Sequence, residues 1–478
     1  MMNRSDEKYE IKLMIIGLGP HAKRIYMHCC KVNGLTPALI IDLKSKEYEV
    51  MNYLEEKEIN SQTYFVDDLY RDSDELSKQD EDNITNLVNK INITHAVIST
   101  EPKAHFAYIK YCLENKLNVL VDKPLTAPIN ATVDINMAKK LEEDFCEIKN
   151  LYEQVSKEND ISLEIQCQRR WHAGYRFVHD LASKIVKEYN IPITNIQLSH
   201  CDGMWNMPDE FLSRENHPYK YGYGKLFHSG FHFIDLVSWF EEINMDLTEK
   251  SPNNVELYAT SVRPSDFFKM INSDDYLNLM STSNYSNIMN NKNNVNFNKF
   301  GELDVSSVIQ FKKNENIIST VVLNLLQNGF SRRSWTKLPK DTYKGNGRVR
   351  HESMSIEIGP LMEIKIQSFQ SKEIKDKIPD KYDIGEVEHY DILVFRNVDL
   401  IGGKPFEKFT LKDIETKNEM FLGQNESARN ICFKEFISNK TNKDAFNSNE
   451  LGIRLLAKEC EALCNYYLGG SKCINFEI

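Results

Sequence analysis

Asn118-Val119-Leu120-Val121-Asp122-Lys123-Pro124-Leu125-Thr126 is a short apolar run that breaks off in an acid, a lysine and a proline. Such a run reads as a strand buried on both faces of a parallel sheet. In open α/β sheets ligands sit beyond the carboxyl ends of the strands, so Lys123 would point at reacting groups. Upstream, Leu13-Met14-Ile15-Ile16 opens into Gly17-Leu18-Gly19-Pro20-His21-Ala22. This is the glycine pattern of a dinucleotide-binding turn, with Ala in third place. A lysine at one strand end and a pyrophosphate turn at another describe a nicotinamide enzyme.

Working outward, apolar runs recur at 38–41, 63–66, 96–99 and 163–167, β-branched-rich and separated by helical patterns. That alternation predicts a doubly wound parallel sheet of six strands, a Rossmann domain over residues 1–168. One predicted helix carries Ile25, Cys29 and Val32 and ends near Gly34, another starts at Lys103, and a long one spans roughly 130–158. Beyond residue 168 the segments alternate instead, at 193–198, 255–262, 305–311, 317–323, 354–358 and 362–369. They predict a C-terminal α+β domain over 169–478, with a large, mainly antiparallel open sheet and helices on one face. Residues 271–300 are rich in Asn, Ser and Asp and read as a long mobile surface insertion. The stretch 425–468 returns to a helical pattern with an apolar stripe of Ile453, Leu455, Leu456, Cys460 and Leu463.

A chain of 478 residues exceeds one ordinary core. Its net charge of −11 argues against a nucleic-acid footprint. No apolar run approaches the ~20 residues of a membrane span, and Met1–Glu10 lacks a signal-peptide core. The ten cysteines form no Cys-x-x-Cys pair. A cytoplasmic protein is expected, with no membrane or nucleic-acid partner, and with Cys29, Cys30, Cys112 and Cys167 reduced and buried.

Gly17 and Gly19 let backbone amides approach a pyrophosphate, and Ala22 lets the helix pack closely on the sheet. Pro20 and His21 complete the turn. Asp42 follows the second strand, about 20 residues beyond the turn, where an acid accepts the ribose 2′-hydroxyl and repels a 2′-phosphate. NAD is therefore favoured; Lys44 and Lys46 nearby keep NADP possible.

Three further stretches bring a family into view. Glu101-Pro102-Lys103-Ala104-His105 resembles the Pro-x-x-His element of glucose–fructose oxidoreductase, inositol dehydrogenase and their relatives, the Gfo/Idh/MocA family. Asp122-Lys123-Pro124 resembles its Glu-Lys-Pro element, with Asp for Glu. Gly224-Lys225-Leu226-Phe227-His228-Ser229-Gly230-Phe231-His232-Phe233-Ile234-Asp235 resembles its Gly-x-Leu-x-Asp-x-Gly-x-His-x-x-Asp element without a gap. Gln168-Arg169-Arg170-Trp171-His172 fits its crossover into the second domain. The resemblance implies an NAD(P)-dependent oxidoreductase that moves a hydride between nicotinamide and a secondary alcohol or ketone of a small sugar-like molecule. It implies Thr100, Pro102, His105, Asp122 and Lys123 as cofactor-side residues, and a sharp cis turn at Lys123-Pro124. The family roles of lysine, histidine and following acid fall on Lys123, His232 and Asp235. The acid expected four residues before the histidine is here His228.

Chemically, His232 suits the base and Lys123 suits a cationic donor to the developing alkoxide. A helix starting near His228 would set His228, His232 and Asp235 on one face. The two histidines also match a metal-ligand pair, but no further ligand beyond Asp235 is evident, so no metal is expected. Arg169, Arg170 and Trp171, with Arg332 and Arg333, are candidate contacts for an anionic substrate. The expected catalytic cleft lies between the domains, in a homo-oligomer of two or four chains. Two other readings stay open: a catalytically quiet sensor of a nucleotide or metabolite, and a reductase acting on an imine or conjugated double bond.

Overall fold

A computed structural model describes residues 10–214, 217–290, 295–331, 349–371, 389–414, 423–438 and 445–478. The chain divides into two compact units, the first made of Met1–Ala127, Glu143–Trp171 and Asn425–Glu450. The second comprises Pro128–Glu142, His172–Gln424 and Leu451–Ile478. Against a single boundary at 168, residues 128–142 go to the second unit and 425–450 to the first.

The first unit holds a six-stranded parallel sheet of β1 (Leu13–Ile16), β2 (Leu39–Leu43), β3 (Gln62–Val66), β4 (His95–Ile98), β5 (Asn118–Val121) and β6 (Leu163–Ile165). Its order, β3-β2-β1-β4-β5-β6, is that of the doubly wound dinucleotide fold. β1 and β4 are buried along their whole length, which explains why they are continuous apolar runs instead of alternating ones. The helix Gln424–Phe436 packs on this unit: Phe433 lies against Tyr26, Phe436 meets the His95 ring at 5.2 Å, and Asn33 Nδ2 donates to Asn430 Oδ1 at 3.0 Å. The four cysteines singled out from the sequence are buried free thiols. Burial pushes the Cys29 and Cys30 thiols up to about 12.

In the second unit the described residues form a nine-stranded sheet. Its strands are β7 (Asn195–Cys201), β8 (Asn254–Val262), β9 (Asp304–Lys313), β10 (Asn316–Leu326), β11 (Val349–Ile358), β12 (Met362–Ser371), β13 (Asp391–Arg396), β14 (Phe406–Thr410) and β15 (Cys473–Glu477). The order is β14-β13-β12-β11-β7-β10-β9-β8-β15, antiparallel throughout except for β7 beside β10. Register aligns one buried row across seven strands: Leu257, Ile309, Val321, Ile196, Ile356, Ile364 and Val394. Alternation with polar neighbours puts that row on one face, so a one-residue slip would turn every member toward solvent. The helices Ala173–Tyr189, Phe231–Met245 and Glu450–Leu468 carry the matching apolar faces.

The expectation of a mobile insertion at 271–300 is corrected. Helices Ser273–Met280 and Ser286–Asn290 fold there, directly after the helix Pro264–Met270. They enclose an aromatic core of Phe211, Tyr219, Phe267, Phe268, Tyr276, Tyr285, Phe297 and Phe300. The polar residues are helix caps: Asn272 Oδ1 accepts from Asp274 N and Asp275 N, and Asp275 Oδ2 accepts from Asn272 N at 2.9 Å in return. Residues 291–294 lie outside the described set. Among the described residues no helix is long and apolar enough to cross a membrane.

Candidate functional site

In the first unit the glycine turn is built as the sequence requires. Gly17 sits at φ +89, and a Cβ there would meet the Ser99 carbonyl and the Thr100 methyl at 2.9 Å. Only glycine fits. A Cβ on Gly19 would meet nothing within 4 Å, so the space in front of the turn is open. Gly19 is also the N-cap of Pro20–Arg24, and among the described residues no side chain caps that helix, which leaves its first amides to an outside anion. Asp42, at the end of β2, accepts from Leu18 N and Leu43 N, both at 2.8 Å. Burial pushes its carboxyl up, and the two amides oppose that. Each oxygen retains a lone pair for a ribose hydroxyl. Lys44 pairs with Glu47 at 2.6 Å and Lys46 with Glu49 at 3.4 Å, so both lysines near Asp42 already hold an acid. Open turn, uncapped amides and carboxylate together fit a dinucleotide.

The loop after β5 is held from both sides. Asp122 Oδ1 accepts from the Tyr26 hydroxyl at 2.5 Å, Oδ2 accepts from the Ser99 hydroxyl at 2.6 Å, and His21 Nε2 lies 3.6 Å away. Burial alone would raise this carboxyl; His21 and the two hydroxyls outweigh it and hold it well below the usual carboxylate range. Lys123 follows, half-buried, and its bond to Pro124 is cis, as expected. His105 is wholly buried, with Nδ1 3.1 Å from the Pro124 carbonyl and Nε2 3.2 Å from the Thr100 carbonyl. A neutral ring donates to only one of these carbonyls, so His105 sits between the ends of β4 and β5 with both nitrogens turned to backbone. Pro102 opens the turn before His105.

The crossover residues divide. Arg169 is 1% exposed. Arg170 donates through Nη2 to the Ser448 carbonyl at 2.9 Å and through Nη1 to its hydroxyl at 3.2 Å, a contact within the first unit. That attachment competes with the substrate role given to it above. Trp171 is partly exposed. Arg332 and Arg333 lie outside the described residues.

In the second unit His228, His232 and Asp235 lie on one helical segment, but its start is not α-helical. Leu226–Gly230 forms a π turn that runs into Phe231–Met245. Such turns are rare and occur often at functional sites. Glu302 fastens the entry: its carbonyl accepts from Lys225 N and its Oε1 from Leu226 N, both at 2.8 Å. The two segments lie so close that a Cβ on Gly224 would stand 2.1 Å from the Glu302 carbonyl oxygen, and one on Gly301 2.0 Å from the Tyr223 carbonyl. His232 and Asp235 are buried. His228, where the resemblance expects an acid, sits among rings: His217 and Tyr219 each at 5.0 Å, edge-on, and Tyr223 at 6.2 Å. An aromatic nest suits an imidazole and would penalise a carboxylate.

Sequence reasoning missed one cluster beside this turn. Lys225, inside the quoted motif, is wholly buried and donates to Asp202 Oδ2 at 2.6 Å. The only sequence signal was a lysine in an apolar run, which reads equally as a surface residue.

Residues 11–146 match the model of the Gfo/Idh/MocA family, described as an oxidoreductase family with an NAD-binding Rossmann fold. No curated relative matches the sequence. Among solved structures, an oxidoreductase from Agrobacterium radiobacter in complex with NAD+, L-tartaric acid and magnesium is similar at 14% identity and TM-score 0.55, covering 98% of each chain. An aldose–aldose oxidoreductase from Caulobacter crescentus with glycerol is similar at 11% identity and TM-score 0.54, over 98% of this chain and 100% of that one. The apo scyllo-inositol dehydrogenase from Lactobacillus casei is similar at 12% identity and TM-score 0.50, covering 98% of each chain. At these identities the likeness is one of fold.

Proposed function

We propose that this chain, a Gfo/Idh/MocA oxidoreductase by its NAD-binding N-terminal unit, is an NAD-dependent dehydrogenase of a sugar-like, anionic small molecule. It interconverts a secondary alcohol and the ketone. The observation that carries this reading is the outlay around Lys123: Tyr26, Ser99 and His21 hold Asp122 on one side of it, and His105 holds the Pro124 carbonyl on the other. Four side chains that anchor the residues on either side of Lys123 are what a preorganised oxyanion donor needs and what a nucleotide sensor does not.

Bound NAD supplies the two-electron acceptor or donor. Lys123 donates a hydrogen bond to the substrate oxygen and stabilises it as it becomes an alkoxide. His232 takes the hydroxyl proton, and Asp235 steadies the helix that carries it. His228 binds a neighbouring hydroxyl. Asp42 selects NAD, because Lys44 and Lys46 are already paired with acids. Arg169 and Trp171, with Arg332 and Arg333, serve an anionic group on the substrate. A cytoplasmic homo-oligomer, dimer or tetramer, belongs to the same reading.

The ring-lined His228 favours a second reading, a catalytically quiet relative that senses a metabolite. A panel of sugars, sugar acids, sugar phosphates and nucleotide sugars, followed by nicotinamide absorbance, separates the two. Turnover with at least one of them is expected; tight NADH binding without turnover on any would favour the sensor.

A further inference from the structure

The buried cluster at the start of the π turn has no part in the chemistry above. Lys225 is 0% exposed. Its Nζ donates to Asp202 Oδ2 at 2.6 Å, to the Ser229 hydroxyl at 2.9 Å and to His200 Nδ1 at 3.0 Å. The Ser229 hydroxyl in turn donates to Asp202 Oδ2 at 2.8 Å. His200, the penultimate residue of β7, stacks on Phe233 with ring centroids 4.1 Å apart. The cluster thus grips the segment on both sides of its key residues, through Ser229 next to His228 and through Phe233 next to His232.

A buried ion pair is a poor source of stability, since both charges lose their hydration and an apolar pair of similar volume does as well or better. Burial lowers the Lys225 ammonium's proton affinity, and Asp202 opposes it. What such a pair provides is direction. Charged partners with fixed hydrogen-bond geometry admit one arrangement of the backbone that carries them, whereas apolar side chains admit several. Here that backbone is a π turn, an irregularity with its own alternative, the regular α-helix one register away.

We infer that the Lys225–Asp202 pair is a positioning device that holds the π turn through Ser229 and His200, and thereby aims the His228 and His232 rings. That the rings serve proton transfer rests on the proposed function; that they are aimed by the pair does not.

The test is the imidazole carbon–proton NMR spectrum of the full-length protein with labelled histidine, assigned through His228→Asn and His232→Asn. Two variants are compared with wild type. Ser229→Ala removes one hydroxyl and keeps the ion pair. Lys225→Met with Asp202→Leu removes both charges together, so that neither is stranded. Displacement of the His228 and His232 resonances in both, with thermal unfolding still cooperative, is the expected result. Activity should then show kcat down about tenfold with KM within about twofold, the mark of lost aim instead of lost binding. Resonances at their wild-type positions in either folded variant would overturn the proposal. No substrate enters the NMR measurement, so a wild type inactive on every substrate would sink the dehydrogenase reading and leave this result standing.

Discussion

Glu241 lies on the helix that carries His232 and Asp235, and it is 0% exposed. Its Oε1 accepts from the Ser319 hydroxyl at 2.6 Å and its Oε2 from Asn244 Nδ2 at 3.0 Å. Burial pushes its carboxyl up from 4.5 to about 7, against the pull of those two hydrogen bonds. The folded chain therefore keeps a proton that the unfolded chain releases near pH 4.5. Stability present below pH 4.5 is lost as the pH rises to about 7, and the loss is complete above that. The gap between the two values, at ~1.4 kcal/mol per pH decade, amounts to about 3 kcal/mol. Glu241→Gln is neutral at every pH. Its amide oxygen can accept from Asn244, and its amide nitrogen can donate to a Ser319 hydroxyl turned to accept, so both contacts survive. Urea unfolding of variant and wild type at pH 5 and pH 8 isolates this group, because all others cancel. The variant should exceed wild type by about 3 kcal/mol at pH 8 and by less than about 1 kcal/mol at pH 5. An equal difference at both pH values, of either sign, refutes the assignment of a neutral buried acid.

Asp122→Asn exchanges two hydrogen bonds to an anion for two neutral ones, which should cost the first unit about 2 kcal/mol at pH 7; unfolding followed by hydrogen exchange at β5 measures it, and an unchanged stability would mean that Tyr26 and Ser99 do not hold the carboxylate. NADH should bind at least tenfold more tightly than NADPH by nicotinamide fluorescence, with Asp42→Ala narrowing the gap, since one lost charge repulsion is worth ~1.4 kcal/mol per decade. Equal affinities in wild type would place cofactor choice elsewhere. Gly17→Ala should abolish NADH binding, because its Cβ has no room at φ +89; a calorimetric titration with retained affinity would show that the turn is not the pyrophosphate site.

Elements decided by local pattern are legible in the sequence. β1 and β5 are apolar runs closed by glycine or charge, and the turn at Gly17 declares itself because no other residue tolerates its backbone. Residues 271–300 misled because Asn and Ser have two uses: they fill disordered chain, and they cap short helices such as Ser273–Met280. Composition does not distinguish these; the interleaved Tyr276, Tyr285, Phe297 and Phe300 do. The π turn was illegible because Glu302, which fastens it, lies 76 residues beyond Leu226. The Lys225–Asp202 pair was hidden for the same reason, as two residues from different elements with nothing local to relate them. The helix Gln424–Phe436 was recognised as a helix but assigned to the second domain, since an amphipathic pattern says that a face is buried and not against what.

The central claim is that Lys123 and His232 perform the chemistry while the glycine turn holds the cofactor. The direct measurement is single-turnover reduction of NAD by the best substrate of the panel, made on wild type, Lys123→Ala and His232→Ala, beside NADH affinity on the same samples. The account predicts a fall of about a thousandfold or more in the chemical step for Lys123→Ala, with NADH affinity within about threefold. His232→Ala should fall comparably and regain rate as pH rises and hydroxide replaces the base. Wild-type turnover in either variant, or a loss traced wholly to cofactor binding, would contradict it.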